Sequence, residues 1–290
     1  MGIVVPNYYK DFKCKADKCQ HSCCVGWEID IDEETYGKYK DFGGKLGDKI
    51  RKNICESPAP HFILGEDERC PFLDKNGLCE IIINSSEENL CQICTDHPRF
   101  RNFLPFGEEI GLGLCCEAAA DLILGHKGKF SIEKLEDNSF LKFRENIFSI
   151  LQDDEWPIDE RIENMLSLCG GDFPKEKLEK YKPIYKGLEK LDKNWDKYLD
   201  RIKEPKLDAK WDKFIENLLV YFVFRHFTLY FEGFDFSEIS SFIALSVYII
   251  EGIMEGTENL DYEMALEIAR MYSCEIEYSE ENIETLIDNL

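Results

Sequence analysis

Apolar positions change their rhythm partway along the chain. Up to about residue 126 they come in short runs broken by Pro, Gly and Cys; beyond it they recur at helical spacing. Trp27-Glu28-Ile29-Asp30-Ile31 alternates apolar and acidic side chains, which predicts a half-buried strand. Asp32 to Lys40 predicts a short helix with Asp32 at its N-cap, and Ser57-Pro58-Ala59-Pro60 a non-helical connector. Phe100 to Leu114 reads as a hairpin turning at Pro105-Phe106-Gly107, followed by a helix over Cys115–Leu124 that Gly125 ends.

The second half predicts helices throughout. Trp211, Phe214, Ile215, Leu218, Phe222 and Leu229 line one face of a long helix. Asp235-Phe236-Ser237-Glu238 supplies N-cap and N3 chemistry for the next one. Asp261–Met271 and Glu280–Leu290 predict two closing amphipathic helices. Pro174 is placed to start a helix and Pro183 to kink or divide it. The expected architecture is mainly α: a loop-rich, Cys-rich module with a short β-hairpin over residues 1–126, packed on a helical domain over residues 127–290.

Charge narrows the partners. A formal net charge of −23 repels phosphate backbones and favours basic proteins, so nucleic acid is not expected. The longest apolar runs, Leu218–Phe224 and Phe242–Ile250, fall well short of the roughly 20 residues that cross a bilayer. Met1 to Cys14 has no apolar stretch of signal-peptide length. No membrane association is expected, and the reading is cytoplasmic.

Cysteine carries the chemistry. Eleven of the 13 cysteines fall in the first 116 residues. Reduced thiols crowded together point to a metal or an iron–sulfur cluster. Cys14, Cys19, Cys23 and Cys24 form the first group; Cys70 and Cys79 flank a turn around Asn76-Gly77 that could bring both to one side. Cys91-Gln-Ile-Cys94 has the gap that lets two sulfurs face one centre, and His97 could complete a mixed site. Cys115 and Cys116 close the set. Thiolate ligation fits zinc or iron–sulfur and excludes magnesium or calcium; with about four ligands per site, two sites are within reach. Arg99 and Arg101 flank an aromatic residue beside this module, where they could hold a carboxylate bidentately or balance thiolate charge. His226 reads as a core residue.

These residues resemble a family, the flagellin lysine-N-methylases, related to the zinc- or iron-chelating cysteine-cluster proteins. The likeness rests on Asp11-Phe12-Lys13-Cys14, Cys14-x4-Cys19-x3-Cys23-Cys24 and Gly26-Trp27 directly after it. It continues through Cys70-Pro71-Phe72-Leu73 to Cys79, Cys94-x3-Pro98-Arg99, and Leu112-Gly113-Leu114-Cys115-Cys116. Arg225-His226-Phe227 in the helical part matches more loosely. The resemblance implies methyl transfer from S-adenosylmethionine to lysine ε-amines of flagellin, with an iron–sulfur centre (4Fe-4S foremost) or another metal bound by the cysteines. It implies Cys14, Cys19, Cys23, Cys24, Cys70, Cys79, Cys94 and Cys116 as ligands, with Cys91 and Cys115 further candidates. Arg99 is the candidate for cofactor binding. Where the family often has Pro-Glu after the last cysteine, this chain has Glu117-Ala118.

The residues themselves give no dinucleotide-type donor site. Gly43-Gly44-Lys45-Leu46-Gly47 lacks a preceding apolar strand, and Gly111-Leu112-Gly113 lies within the expected hairpin. The cysteine spacing of radical enzymes that cleave S-adenosylmethionine is also absent. The catalytic base is left unassigned. The alternative is a non-enzymatic iron–sulfur or zinc protein that carries electrons, delivers metal or acts as a scaffold.

Overall fold

A computed structural model of the chain describes residues 2–134, 137–173 and 178–290. Strand β1 (Gly2–Pro6) opens the chain. Helices α1 (Glu33–Asp41) and α2 (Gly44–Lys52), strands β2 (Ile54–Cys55) and β3 (His61–Phe62), and helices α3 (Glu80–Asn84) and α4 (Gln92–Asp96) follow. Next come β4 (Arg99–Leu104), β5 (Gly107–Leu112), α5 (Glu117–Leu124), β6 (Ile132–Glu133), α6 (Ser139–Leu151) and α7 (Ile158–Cys169). The chain closes with α8 (Leu178–Gly187), α9 (Trp195–Asp200), α10 (Asp212–His226), α11 (Phe236–Glu255), α12 (Tyr262–Tyr272) and α13 (Glu280–Ile287). The chain is mainly α, as its periodicity predicts.

Two compact units result, one of residues Lys13–Phe100, the other of Met1–Phe12 with Arg101–Leu290. This differs from a division at residue 126, and strand pairing is the reason. β1 runs parallel to β5, with Gly2 opposite Gly107 and Val4 opposite Glu109, and antiparallel to β6. The sheet, ordered β4-β5-β1-β6, therefore ties the N-terminal strand and the expected hairpin to the helices. Gly107 makes the close pairing possible: at φ +157° its missing Cβ would lie 2.2 Å from the Gly2 carbonyl oxygen.

In the larger unit the helices bury nearly all their surface. Every residue of α10 from Phe214 to Phe224 is buried, so the expected one-sided stripe is instead a core helix. Its α-helical run stops at His226, and Phe227–Glu232 continues as a 3-10 turn. Asp235 and Glu238 form the expected capping box of α11. Helix α11 is long and apolar enough to cross a membrane, yet 72% of its most apolar window is buried against neighbouring helices, as a core helix is. Two charged pairs are buried with it: Arg144 with Glu109, and Arg161 with Glu216 at 2.8 Å. The Arg144 guanidinium also lies 5.1–5.2 Å from the Phe224 and Phe140 ring centres, and donates to the Phe224 carbonyl at 3.2 Å. Pro183 does not divide α8, which runs through it. Pro174 lies outside the described residues.

The smaller unit is held by turns and caps around a modest core of Ile29, Ile31, Tyr39, Ile50, Phe62, Phe72 and Ile81. Tyr39 stacks on Phe62 at 6.0 Å, and Phe62 packs on Phe72 at 4.8 Å. The alternation over Trp27–Ile31 does bury Ile29 and Ile31, but no strand forms. Isolated bridges join Val25 to Arg69 and Asp30 to His61. Opposite Ile31 lies Pro60, whose carbonyl accepts from the Ile31 N–H at 2.8 Å but which has no N–H to extend a ladder.

Candidate functional site

Four stretches of the smaller unit converge on one cavity of about 400 Å³, lined by Cys14, Cys19, Cys23, Cys24, Cys70, Cys79, Cys91 and Cys94. All of the chain's cysteines are free thiols. Local chemistry brings each group to the wall. The Cys70 N–H donates to the Cys24 carbonyl at 2.8 Å, and the Gly26 N–H to the Glu68 carbonyl at 3.1 Å, so the first group lies beside the second. The expected turn is present: the Asp74 carboxylate accepts from the N–H of Asn76 at 2.7 Å and of Leu78 at 2.8 Å, with Gly77 at φ +80°. It returns the chain so that Leu73 bridges Cys79, the N-cap of α3. Cys91 caps α4, and the Cys94 N–H donates to the Cys91 carbonyl at 3.0 Å, so one turn aims both thiols inward.

Asp32 does more than cap α1. One carboxylate oxygen accepts from the Thr35 N–H at 2.9 Å, and the other from the Gln92 N–H at 2.9 Å, fixing the first turn of α4 beside α1. Burial alone would raise its pKa, but the N–H donors of Gln92 and Thr35 more than offset that and hold the carboxyl below its ordinary value. The Tyr39 hydroxyl donates to the Asn89 carbonyl at 2.7 Å and lies 3.6 Å from the Cys91 sulfur. Sequence patterning predicts neither link, because both partners are more than 45 residues away.

The thiols differ in acidity. A hydrogen bond from Cys23, with help from Ser22 and Arg69, brings Cys24 down to about 7 against the opposing effect of burial. Burial pushes Cys70 up to about 12 and raises Cys79. Cys91 and Cys94 hydrogen-bond one another, which favours the Cys91 thiolate and holds the proton on Cys94. His97 also lines the cavity, edge-on to Trp27 at 6.1 Å, and burial lowers its pKa to about 4, leaving it neutral.

Among the described residues, no group of three or more Cys, His, Asp or Glu side chains closes to the spacing of a metal site. The thiols line walls rather than enclosing a point. Isoleucines rim the cavity: Ile82, Ile83 and Ile93 border it while remaining exposed.

Four residues grouped with this site by the sequence do not line the cavity. Arg99 donates to the Thr95 carbonyl at 3.2 Å, at the end of α4. Cys115 and Cys116 belong to the larger unit, where the Cys115 thiol donates to the Tyr278 hydroxyl at 3.0 Å and Cys116 is the N-cap of α5. Arg101 pairs with Glu108 at 2.7 Å.

The larger unit holds its own buried polar centre. A π-helical turn, Ser273–Glu277, brings Glu277 inward. Its carboxylate accepts from Tyr221 at 2.9 Å and pairs with Arg225 Nε and His226 Nε2, each at 3.0 Å. Burial would raise the Glu277 pKa, but Arg225 and His226 pull it below the ordinary range; burial lowers His226. The geometry is that of an ionised carboxylate held by an arginine and a neutral imidazole. His226 is thus a satisfied core residue, while Glu277 escapes sequence reading because the π turn breaks the 3.6-residue period.

Residues 171–290, which contain this centre but not the cavity, match the FliB lysine N-methylase C-terminal domain. That match covers 120 of the 290 residues, and over them the chain is similar to the lysine N-methylases. It is 26% identical over 131 residues to the flagellar biosynthetic protein FliU of Salmonella muenchen, an alignment covering 42% of this chain and 76% of that protein. It is 25% identical over 131 residues to the lysine-N-methylase of Salmonella choleraesuis (strain SC-B67), and 26% to that of Salmonella typhimurium. The chain spans about a third (32%) of the length of those two lysine-N-methylases. No solved structure matches it.

Proposed function

We propose that this protein is a lysine N-methyltransferase acting on flagellin, and that the thiol-lined cavity holds an iron–sulfur centre. The supporting observation is convergence: eight cysteines spread over residues 14–94 line one cavity in a chain whose curated relatives are named lysine-N-methylases. The number of thiols favours a cluster over a single zinc, because one closed zinc site uses about four ligands and eight cysteines line this cavity. A cluster takes about four thiolates, so its ligands would be drawn from Cys14, Cys19, Cys23, Cys24, Cys70, Cys79, Cys91 and Cys94, and zinc is the other soft ion the donor set admits. Burial keeps several of these thiols protonated, so loading would release protons.

With S-adenosylmethionine as donor, the lysine nitrogen forms the new N–C bond as the S–CH3 bond breaks, giving S-adenosylhomocysteine and one proton. The amine must be uncharged to attack. An apolar rim of Ile82, Ile83 and Ile93 suits that need, because desolvation lowers a lysine pKa. The experiment is incubation of anaerobically purified, metal-loaded protein with flagellin and methyl-labelled S-adenosylmethionine. Label on flagellin lysines is expected. Unlabelled flagellin in the presence of intact metal would overturn the assignment in favour of a non-enzymatic metal protein.

A further inference from the structure

We infer that an exposed aromatic face of the larger unit is a docking surface for a cationic, lysine-bearing segment of a protein partner. Its floor is a cluster of rings from β5's turn, α6, the Phe227–Glu232 turn and α11. Tyr230 lies flat on Phe236, centroids 4.5 Å apart and planes 7° apart. Phe231 packs on Phe140 at 4.9 Å and edge-on to Phe106 at 5.9 Å. Both rings are therefore fixed from beneath, yet Tyr230 is 45% and Phe231 38% exposed. They stand nearly perpendicular to one another, at 79° with centroids 5.4 Å apart. Rigid aromatic side chains held outward present ring faces to a ligand with little ordering cost.

Charge identifies the occupant. Glu232 follows Phe231, and burial together with the carboxylates of Glu280 and Glu284 raises its pKa. Glu280 and Glu284 are exposed and one turn apart on α13. No ion pair among the described residues neutralises any of the three. Aromatic faces beside uncompensated carboxylates favour an ammonium group over an anionic or purely apolar ligand, through cation–π and Coulomb attraction. The inference concerns binding alone and does not depend on methyl transfer or on metal in the cavity.

The test is a polarisation titration of the full chain with a fluorescein-labelled peptide of alternating lysine and serine, at low salt. The double variants Y230L/F231L and E280Q/E284Q are each expected to weaken binding roughly fivefold to tenfold, about 1 kcal/mol. E160Q/E163Q, removing equal charge from exposed positions of α7, is expected to change it less than about twofold. A peptide with glutamine in place of lysine should not bind. Equal losses in the two glutamate variants would reduce the effect to net charge and overturn the proposal. So would unchanged binding by Y230L/F231L, or equal binding of the glutamine peptide. Should Y230L/F231L lose its fold by circular dichroism, the pair of glutamate variants decides.

Discussion

The two units of this chain bury different things. The larger one buries hydrocarbon: α11 has 14 buried residues among its 20, and among its internal charges are the matched pairs Arg144–Glu109, Arg161–Glu216 and Arg225–Glu277. The smaller one encloses thiols. Its core is a handful of aliphatic and aromatic side chains, and much of its remaining interior is a cavity walled by cysteine. A helical core sustained by apolar area needs nothing further to hold its shape. A unit with so small a hydrocarbon core beside a wall of thiols is one whose stability should depend on what those thiols bind.

That contrast can be broken most forcefully at the thiols. Replacing Cys24 and Cys70 together by Ser is expected to abolish metal loading and raise the proteolysis rate within residues 13–100 at least tenfold. Residues 101–290 should stay protected; cleavage mapped by mass spectrometry checks both halves. Next in size, Leu245→Ala opens a cavity in α11, where Leu245 is fully buried. It should cost about 3 kcal/mol in denaturant unfolding of the helical signal. Such a loss should leave metal content unchanged, which separates the two kinds of core.

Smaller effects sharpen the comparison at single hydrogen bonds. Asp32→Ala removes the acceptor for Thr35 and Gln92 at once and should destabilise the smaller unit by about 1–2 kcal/mol. The pH dependence has a definite sign. The folded Asp32 pKa lies below its unfolded value, ~3.9. Its contribution is thus fully present above that value and is lost as pH falls through the lower folded one. Asp32→Asn should flatten that acid limb, measured by tryptophan fluorescence, since Trp27 lies in the same unit. Smallest of all, Asp235→Ala should cost the larger unit about 1 kcal/mol through loss of the α11 capping box.

Legibility from the sequence followed the same divide. Local signals read true: the Asp32 and Asp235 caps, the turn at Asn76-Gly77, the hairpin turning at Pro105-Phe106, and Gly125 ending α5. Each depends on neighbours within four or five residues. The grouping of Cys14 through Cys94 was legible because clustered reduced thiols have few other uses. Cys115 falls in the other unit, where its thiol meets Tyr278, 163 positions away. The parallel pairing of β1 with β5, which moves the unit boundary, is likewise long-range and leaves no mark on local periodicity. The Trp27–Ile31 alternation read its burial correctly but not its hydrogen bonding, which depends on a segment across from it where Pro60 has no N–H to give.

The most direct measurement is anaerobic reconstitution of the full chain with ferrous iron and sulfide, followed by visible absorption, iron counting and thiol titration. A brown protein with about four irons per cluster, and the eight cavity thiols masked from alkylation until the metal is removed, is the expected result. A colourless protein that retains neither iron nor zinc, with those thiols alkylated freely throughout, would contradict the convergence of these cysteines on an inorganic centre.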